Sequence, residues 1–230
     1  MAERSDKRIY CSGPLFCPEE VAGMTAIAET LEKAGYATFL PHRDGLEAYL
    51  LKYVNDPRVN FIRLPPANRF LSRAAFALDI YQILERCDAL VMNMNGRVPD
   101  EGAVAETAVA FAAGKPLVIY KNDHRTLLNG YDNSMLIGLS QTFSTVEQME
   151  KIPVEVGRIL DRVERTGPTP YRGESIPGNV REVLGFGGRV WKFLNTLNFF
   201  STPEETERIE HLKELVKLCE TLSEEGPVTP

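Results

Sequence analysis

The chain has no run of basic residues: 26 Lys and Arg stand against 32 Asp and Glu, for a formal net charge of -6 over 230 residues. A polyanion such as DNA or RNA would meet an unfavourable field, so no nucleic-acid partner is expected. Four cysteines, Cys11, Cys17, Cys87 and Cys219, form no CxxC pair, and the three histidines, His42, His124 and His211, are scattered. That spacing gives no zinc site, and no metal is expected. No apolar stretch is long enough to span a bilayer, and the polar N-terminus runs straight into a strand without an apolar signal core. A cytoplasmic protein with no membrane partner is the expectation. No glycine-rich phosphate cradle of the P-loop or GxGxxG type is present either.

What is present alternates between two periods. Arg8–Ser12, Ala37–Leu40, Ala89–Met94 and Leu117–Tyr120 read as strands, with a further short strand expected near Thr142 and Phe143. Helices are expected over Pro18–Ala34, closed by Gly35, over Arg69–Arg86, and over Gly102–Ala113, closed by Gly114. Another is expected over Val146–Glu164, restarted or kinked at Pro153. Strands alternating with helices predict an α/β fold with a parallel sheet covered on both faces. The proline-bearing stretch up to Asn68 reads as a polar loop followed by an irregular excursion, a candidate lid. Gly167-Pro168-Thr169-Pro170 marks a break, which divides the chain into a domain over 1–166 and a helical C-terminal extension over 167–230. In that extension, Ser201-Thr202-Pro203-Glu204-Glu205 opens a last helix with Ile209, Leu212, Val216 and Cys219 as its apolar stripe.

Ligands of open α/β sheets bind beyond the carboxyl ends of the strands. The first strand delivers Tyr10 and Ser12-Gly13-Pro14-Leu15-Phe16 to that edge. The second delivers His42, Arg43 and Asp44. The third delivers Asn95, Asp100 and Glu106, and the fourth Asn122, Asp123 and Asn133. Asp100-Glu101-Gly102-Ala103-Val104-Ala105-Glu106 is the most informative segment. Glu106 lies about one turn into a helix among small residues that let a substrate approach. The plain alternative is an acid favouring a helix N-terminus. Asp79 in a helix has the plain alternative of solvation or an ion pair. Tyr10, Phe16 and Met135 have that of packing, and His42 and Arg43 that of a structural loop network.

Ile9-Tyr10-Cys11-Ser12-Gly13-Pro14-Leu15-Phe16, Leu40-Pro41-His42-Arg43-Asp44-Gly45, Asp79-Ile80, Cys87-Asp88-Ala89-Leu90-Val91, Asp100-x-Gly102-x-x-x-Glu106, Gly114-Lys115-Pro116 and Asp132-Asn133-Ser134-Met135 occur in this order. Together, across about residues 8 to 145, they resemble the nucleoside 2-deoxyribosyltransferase family. The resemblance implies a flavodoxin-like sheet and a two-step exchange of a deoxyribosyl group between bases. Glu106 matches the nucleophile, Asp79 and Asp100 match acids around sugar and leaving base, and Tyr10 matches a residue that orients the nucleophile. Phe16 lies where an aromatic flanks the base, and Asn133 matches a residue that reaches the site from an adjacent subunit. Gly13, His42, Arg43, Asp44, Gly102 and Met135 complete the expected substrate-binding set. A homo-oligomer with active sites near its interfaces is implied, taking nucleosides and free bases as small-molecule partners.

Cleaving an N-glycosidic bond builds oxocarbenium character at C1′, which a carboxylate traps, while a second acid protonates the departing base. Asp79 or Asp100 supplies that proton, with Asp79 preferred. No metal or organic cofactor is required. Two other readings share these residues: an N-glycoside hydrolase of nucleosides or their monophosphates, and a non-catalytic nucleotide-binding or sensing module. The chain continues well past the fold, where simple family members end, so the resemblance does not carry over a contribution from a terminal carboxylate.

Overall fold

The computed structural model describes residues 6–53, 56–96, 98–123, 132–140, 144–166 and 176–224. The chain divides into two compact units, residues 1–40 with 82–175 and residues 41–81 with 176–230. Residues 41–81 therefore group with the C-terminal helices, across the break read at Gly167.

In the first unit, four apolar segments form the parallel sheet: β1 (Arg8–Ser12), β2 (Ala37–Phe39), β3 (Ala89–Asn93) and β4 (Leu117–Tyr120). The order is β2-β1-β3-β4, with Tyr10 opposite Phe39 on one side and Leu90 on the other. This is the start of the flavodoxin-like order, and the direction of winding reverses at β1 and β3. β3 and β4 are buried at every position, as strands covered on both faces must be. The strand expected at Thr142 and Phe143 falls outside the described residues, although Val146 makes a parallel bridge to Tyr120.

Strand alternation sorts the side chains between two faces. Ile9, Cys11, Val91 and Val118 pack with α1 (Pro18–Lys33) and α7 (Ile152–Thr166). Tyr10 and Ser12, at the other parity, share the face on which α5 (Glu101–Ala112) contacts β1, β3 and β4. Gly35 follows the end of α1 with φ of 92°, the left-handed geometry of a helix stop. Pro153 lies in the first turn of α7, so of the two expected outcomes the helix restarts there, after a short 3-10 turn at Met149–Lys151.

The second unit is helical. The loop expected at Pro41–Gly45 is a helical turn, α2 (Pro41–Asp44), and the excursion beyond it holds α3 (Glu47–Tyr53) and a 3-10 stretch (Pro57–Arg63). The prolines expected to break this region instead stand at helix starts: α4 (Pro65–Tyr81) opens on two of them and continues into a π turn at Gln82–Arg86. A missing N–H is harmless there, because the first-turn amides have no helical acceptor. Two long helices follow, α8 (Gly178–Thr196) and α9 (Glu205–Glu224). The apolar stripe of α4, with Leu71, Ala74 and Leu78, shares one core with Val190, Leu194 and Leu212. Each such large side chain stabilises by roughly 1.5–3 kcal/mol on burial. The α4 and α8 backbones meet at Gly187, where a Cβ would lie 2.1 Å from the Ala77 carbonyl oxygen. Only a glycine fits that contact. One short helix of the first unit, α6 (Ser134–Ile137), lies beyond β4.

Candidate active site

At the carboxyl end of β1, two hydroxyls converge on one carboxylate. Tyr10 Oη donates to Glu106 Oε1 over 2.8 Å, and Ser12 Oγ donates to Glu106 Oε2 over 2.6 Å. Both donors come from one strand face, because residues i and i+2 project the same way. Tyr10 and Ser12 are fully buried, and the Tyr10 ring stacks on Phe39 at a centroid distance of 5.5 Å. Tyr10 is thus a core aromatic and a polar partner at once. Both carboxylate oxygens accept from a hydroxyl, an arrangement that favours the ionised form and fixes the plane of the group.

The helix that carries Glu106 is anchored by Asp100. As its N-cap, Asp100 Oδ2 accepts from the Ala103 amide over 2.7 Å. Gly102 lies beside this cap, where a Cβ would sit 3.2 Å from Asp100 Oδ2. Ala103, Thr107 and Ala110 form the buried face of α5, and Thr107 Oγ1 donates to the Ala103 carbonyl over 2.6 Å. Glu106, next to that face, remains half-buried and thus open to a ligand.

Gly13 is a packing requirement at the β1 exit: a Cβ there would lie 2.4 Å from Met24 Sδ and 2.9 Å from Asn93 Cβ. Phe16 follows at 78% exposure, its amide donating over 2.8 Å to the Glu20 carboxylate, which also accepts from the Cys17 amide in the capping box of α1. The loops after β3 and β4 are laced together. Asn95 Oδ1 accepts from the amides of Asn122 and Asp123 at 2.9 and 3.1 Å, and Asp123 accepts from Gly96 at 3.2 Å. Asn133 caps α6 by accepting from the Met135 amide over 2.9 Å, and Met135 is 78% exposed. Phe16 and Met135 therefore do not behave as the packing residues of their plain alternative. Asp88 does the turn work that its place before β3 suggests, accepting from the Arg8 amide at 2.8 Å.

The remaining expected residues belong to the second unit. Arg43 forks onto Asp44, Nε to Oδ1 at 3.0 Å and Nη2 to Oδ2 at 2.9 Å, so these two are tied to each other. Burial, reinforced by the Arg43 charge and opposed by Asp44, lowers the His42 pKa and favours the neutral imidazole. Asp79 lies half-buried on α4, and its carboxyl bears on that of Glu47 on α3. Burial pushes the Glu47 carboxyl above the usual range, against the opposing pull of its own backbone N–H and of Asp79.

Sequence reasoning placed Ser12 at the sheet edge without a role and passed over Glu47. Strand parity with Tyr10 was the available signal for Ser12. Among the described residues no group of three or more His, Cys, Asp or Glu side chains is arranged to hold a metal ion, and no helix is long and apolar enough to cross a membrane.

A carboxylate clamped by two hydroxyls at the switch point of a parallel sheet defines a class of site suited to chemistry on a small polar ligand. The family model described as Nucleoside 2-deoxyribosyltransferase matches residues 9–156, and the chain belongs to that family. The matched span begins with β1 and ends within α7. A conserved protein of Enterococcus faecalis V583, known from its crystal structure, is similar at 21% sequence identity with a TM-score of 0.48, over 66% of this chain and 98% of its own. No curated protein matches the chain.

Proposed function

We propose that the protein exchanges the base of 2′-deoxynucleosides by double displacement, with Glu106 as the nucleophile. The observation that carries this reading is the Glu106 carboxylate held by Tyr10 and Ser12 at 2.8 and 2.6 Å. A carboxylate oxygen attacks C1′ and the C1′–N bond breaks, its electron pair leaving with the base. Asp79 gives that base nitrogen a proton. The glycosyl ester on Glu106 is then attacked by a nitrogen of the incoming base, whose proton returns to Asp79 as the ester C–O bond breaks. Two inversions give net retention. Hydrogen bonds to both oxygens hold the carboxylate in its attacking orientation, and the transition state forms without further reorganisation.

In this reading Asp100 supports the sugar and sets the start of the helix that carries the nucleophile, while Gly102 leaves room beside it. Gly13 lets the chain leaving β1 pass against Met24 and Asn93, and so sets the path of the loop that meets the substrate. Phe16 and Met135, both exposed, offer apolar surface to a base, and His42, Arg43 and Asp44 help to select it. Asn133 acts in the site of a second copy of the chain within a homo-oligomer.

Intact-protein mass spectrometry after mixing with a deoxynucleoside tests the reading. A deoxyribosyl-sized adduct on Glu106 is expected, together with exchanged nucleoside when a second base is supplied. Glu106→Ala should lose both while keeping the wild-type circular dichroism. Full activity in that variant sinks the assignment, and sugar release without exchange at saturating acceptor base identifies a hydrolase instead.

A further inference from the structure

A lysine at the end of an apolar strand keeps its ammonium in water unless a partner repays the lost hydration. Lys121 directly follows β4, and its side chain is 3% exposed, with Nζ donating to Asp132 Oδ1 over 2.6 Å. Ser12, Met92 and Ile119 lie in one row across the sheet, so Lys121, two residues past Ile119, shares the face of Tyr10 and Ser12. The backbone is fixed there as well. The Lys121 amide donates to the Val146 carbonyl over 2.9 Å, and the Val146 amide to that of Ile119 over 2.8 Å. No step of the base exchange set out above uses this buried charge.

What the ion pair holds is the start of α6. Asp132 is joined to Asn133, which caps that helix, and the amides of Met135, Leu136 and Ile137 all turn back onto Asn133. None of the four residues of α6 is buried, and Asn133, Ser134 and Met135 are exposed. Apolar burial therefore does little to fix where α6 sits, and polar anchors stand at both its ends. After it comes Ser140, 3% exposed, whose hydroxyl donates to the Ile137 carbonyl over 2.9 Å and accepts from the Ser144 amide over 3.0 Å. Before it, the Lys121–Asp132 pair ties the helix to the end of β4.

We propose that Lys121 is a positioning residue: its ion pair with Asp132 sets where α6 carries Asn133, and so acts on the site of the neighbouring copy that Asn133 enters. This rests on the base-exchange reading above and gives a role to a residue that reading does not use. A buried ammonium suits the task. Moving Asp132 away strands a charge out of water, so the pair keeps one geometry where an exposed ion pair would sample many. Without the pair α6 shifts, and Asn133 meets the neighbour's substrate out of place.

Mixed oligomers of full-length chains test this, on the deoxynucleoside and free base that wild type exchanges fastest. Lys121→Met alone should lower kcat/KM by about a hundredfold, the scale of a misplacement of about 1 Å. Co-expression with an excess of Glu106→Ala chains sets an intact α6 beside each remaining Glu106. Most of the loss should then be recovered per intact Glu106. A helper chain carrying both Glu106→Ala and Asn133→Ala keeps Lys121 and should recover none of it. Equal recovery by both helpers makes Lys121 merely structural, and recovery by neither confines its effect to its own chain. Either outcome overturns the proposal, as do unchanged kinetics in Lys121→Met. If Lys121→Met fails to fold, Asp132→Asn takes its place in the same mixtures. A wild type that exchanges no base defeats the functional reading, whereas an active wild type with the wrong helper pattern defeats this inference alone.

Discussion

Ser12 Oγ donates to Glu106 Oε2 over 2.6 Å, and its neighbour on the same strand face, Tyr10, serves the other oxygen at 2.8 Å. One hydrogen bond to a charged group contributes about 1.5–3 kcal/mol, equivalent to roughly a ten- to hundredfold change in rate. Ser12→Ala should therefore lower kcat for base exchange by about that factor, and Tyr10→Phe by a similar one. The double variant should fall short of the product, because both act on one carboxylate. Unchanged kinetics in Ser12→Ala would remove the clamp from the mechanism.

Asp100 sits at the head of the helix that aims Glu106, accepting from the Ala103 amide. Asp100→Ala should reduce the unfolding free energy by about 0.5–2 kcal/mol, whereas Asp100→Asn, also a good cap, should retain most of it. Urea denaturation separates the two. If Asp100→Asn also loses activity while remaining as stable as wild type, the carboxylate has a role at the sugar beyond capping.

Gly187 and Gly185 lie two residues apart on α8 but in opposite surroundings. A Cβ at Gly187 would strike the Ala77 carbonyl oxygen at 2.1 Å, while one at Gly185 meets nothing within 4 Å. Gly187→Ala should destabilise by about 1–3 kcal/mol or more, as overpacking against backbone does. Gly185→Ala should stabilise by about 0.5–1 kcal/mol through helix propensity. Thermal denaturation of the pair reads both signs in one experiment.

The thiols provide a pH test. Burial raises the pKa of Cys87 and of Cys219 to about 12 in each case, while the unfolded chain ionises them near roughly 8.5. The folded state therefore binds more thiol protons between these values. That contribution to stability is complete below the unfolded value and is lost as pH rises towards the folded one. The denaturation midpoint should fall steadily on the alkaline side. Ellman's reagent at pH 8 should titrate Cys17 quickly, leaving the buried Cys11, Cys87 and Cys219 for the unfolded chain. Fast reaction of a second thiol in the native state would contradict this burial.

Ending the chain at residue 166 should expose the apolar face of α4, since Leu71, Ala74 and Leu78 pack with α8 and α9 in one core. Strong binding of a hydrophobic dye and a lost cooperative transition are expected. A truncated chain that melts cooperatively at the wild-type temperature would show that the tail is dispensable for folding.

The sheet was legible because β3 and β4 are continuous apolar runs bounded by turn residues, and because Gly35 and Gly114 close helices where their positions suggest. The region from Pro41 to Pro66 was misread for one reason. Proline was taken as a breaker, yet Pro41, Pro57, Pro65 and Pro66 all stand at helix starts, where the missing N–H does no harm. Glu106 was marked by its small neighbours Gly102, Ala103 and Ala105, and its role came from the order of motifs. Ser12 offered only strand parity. Glu47 offered nothing local, because Asp79, the side chain that bears on its carboxyl, lies on another helix and leaves no periodic trace beside it.

The interrupted second unit has a consequence for synthesis on the ribosome. α4 is complete at Tyr81, but α8, which buries its apolar stripe, begins only at Gly178. At roughly 5–20 residues per second, that stripe waits on the order of 5–20 s for its cover. Throughout that interval the nascent chain presents a sticky amphipathic helix, and chaperone capture during translation has its natural target there.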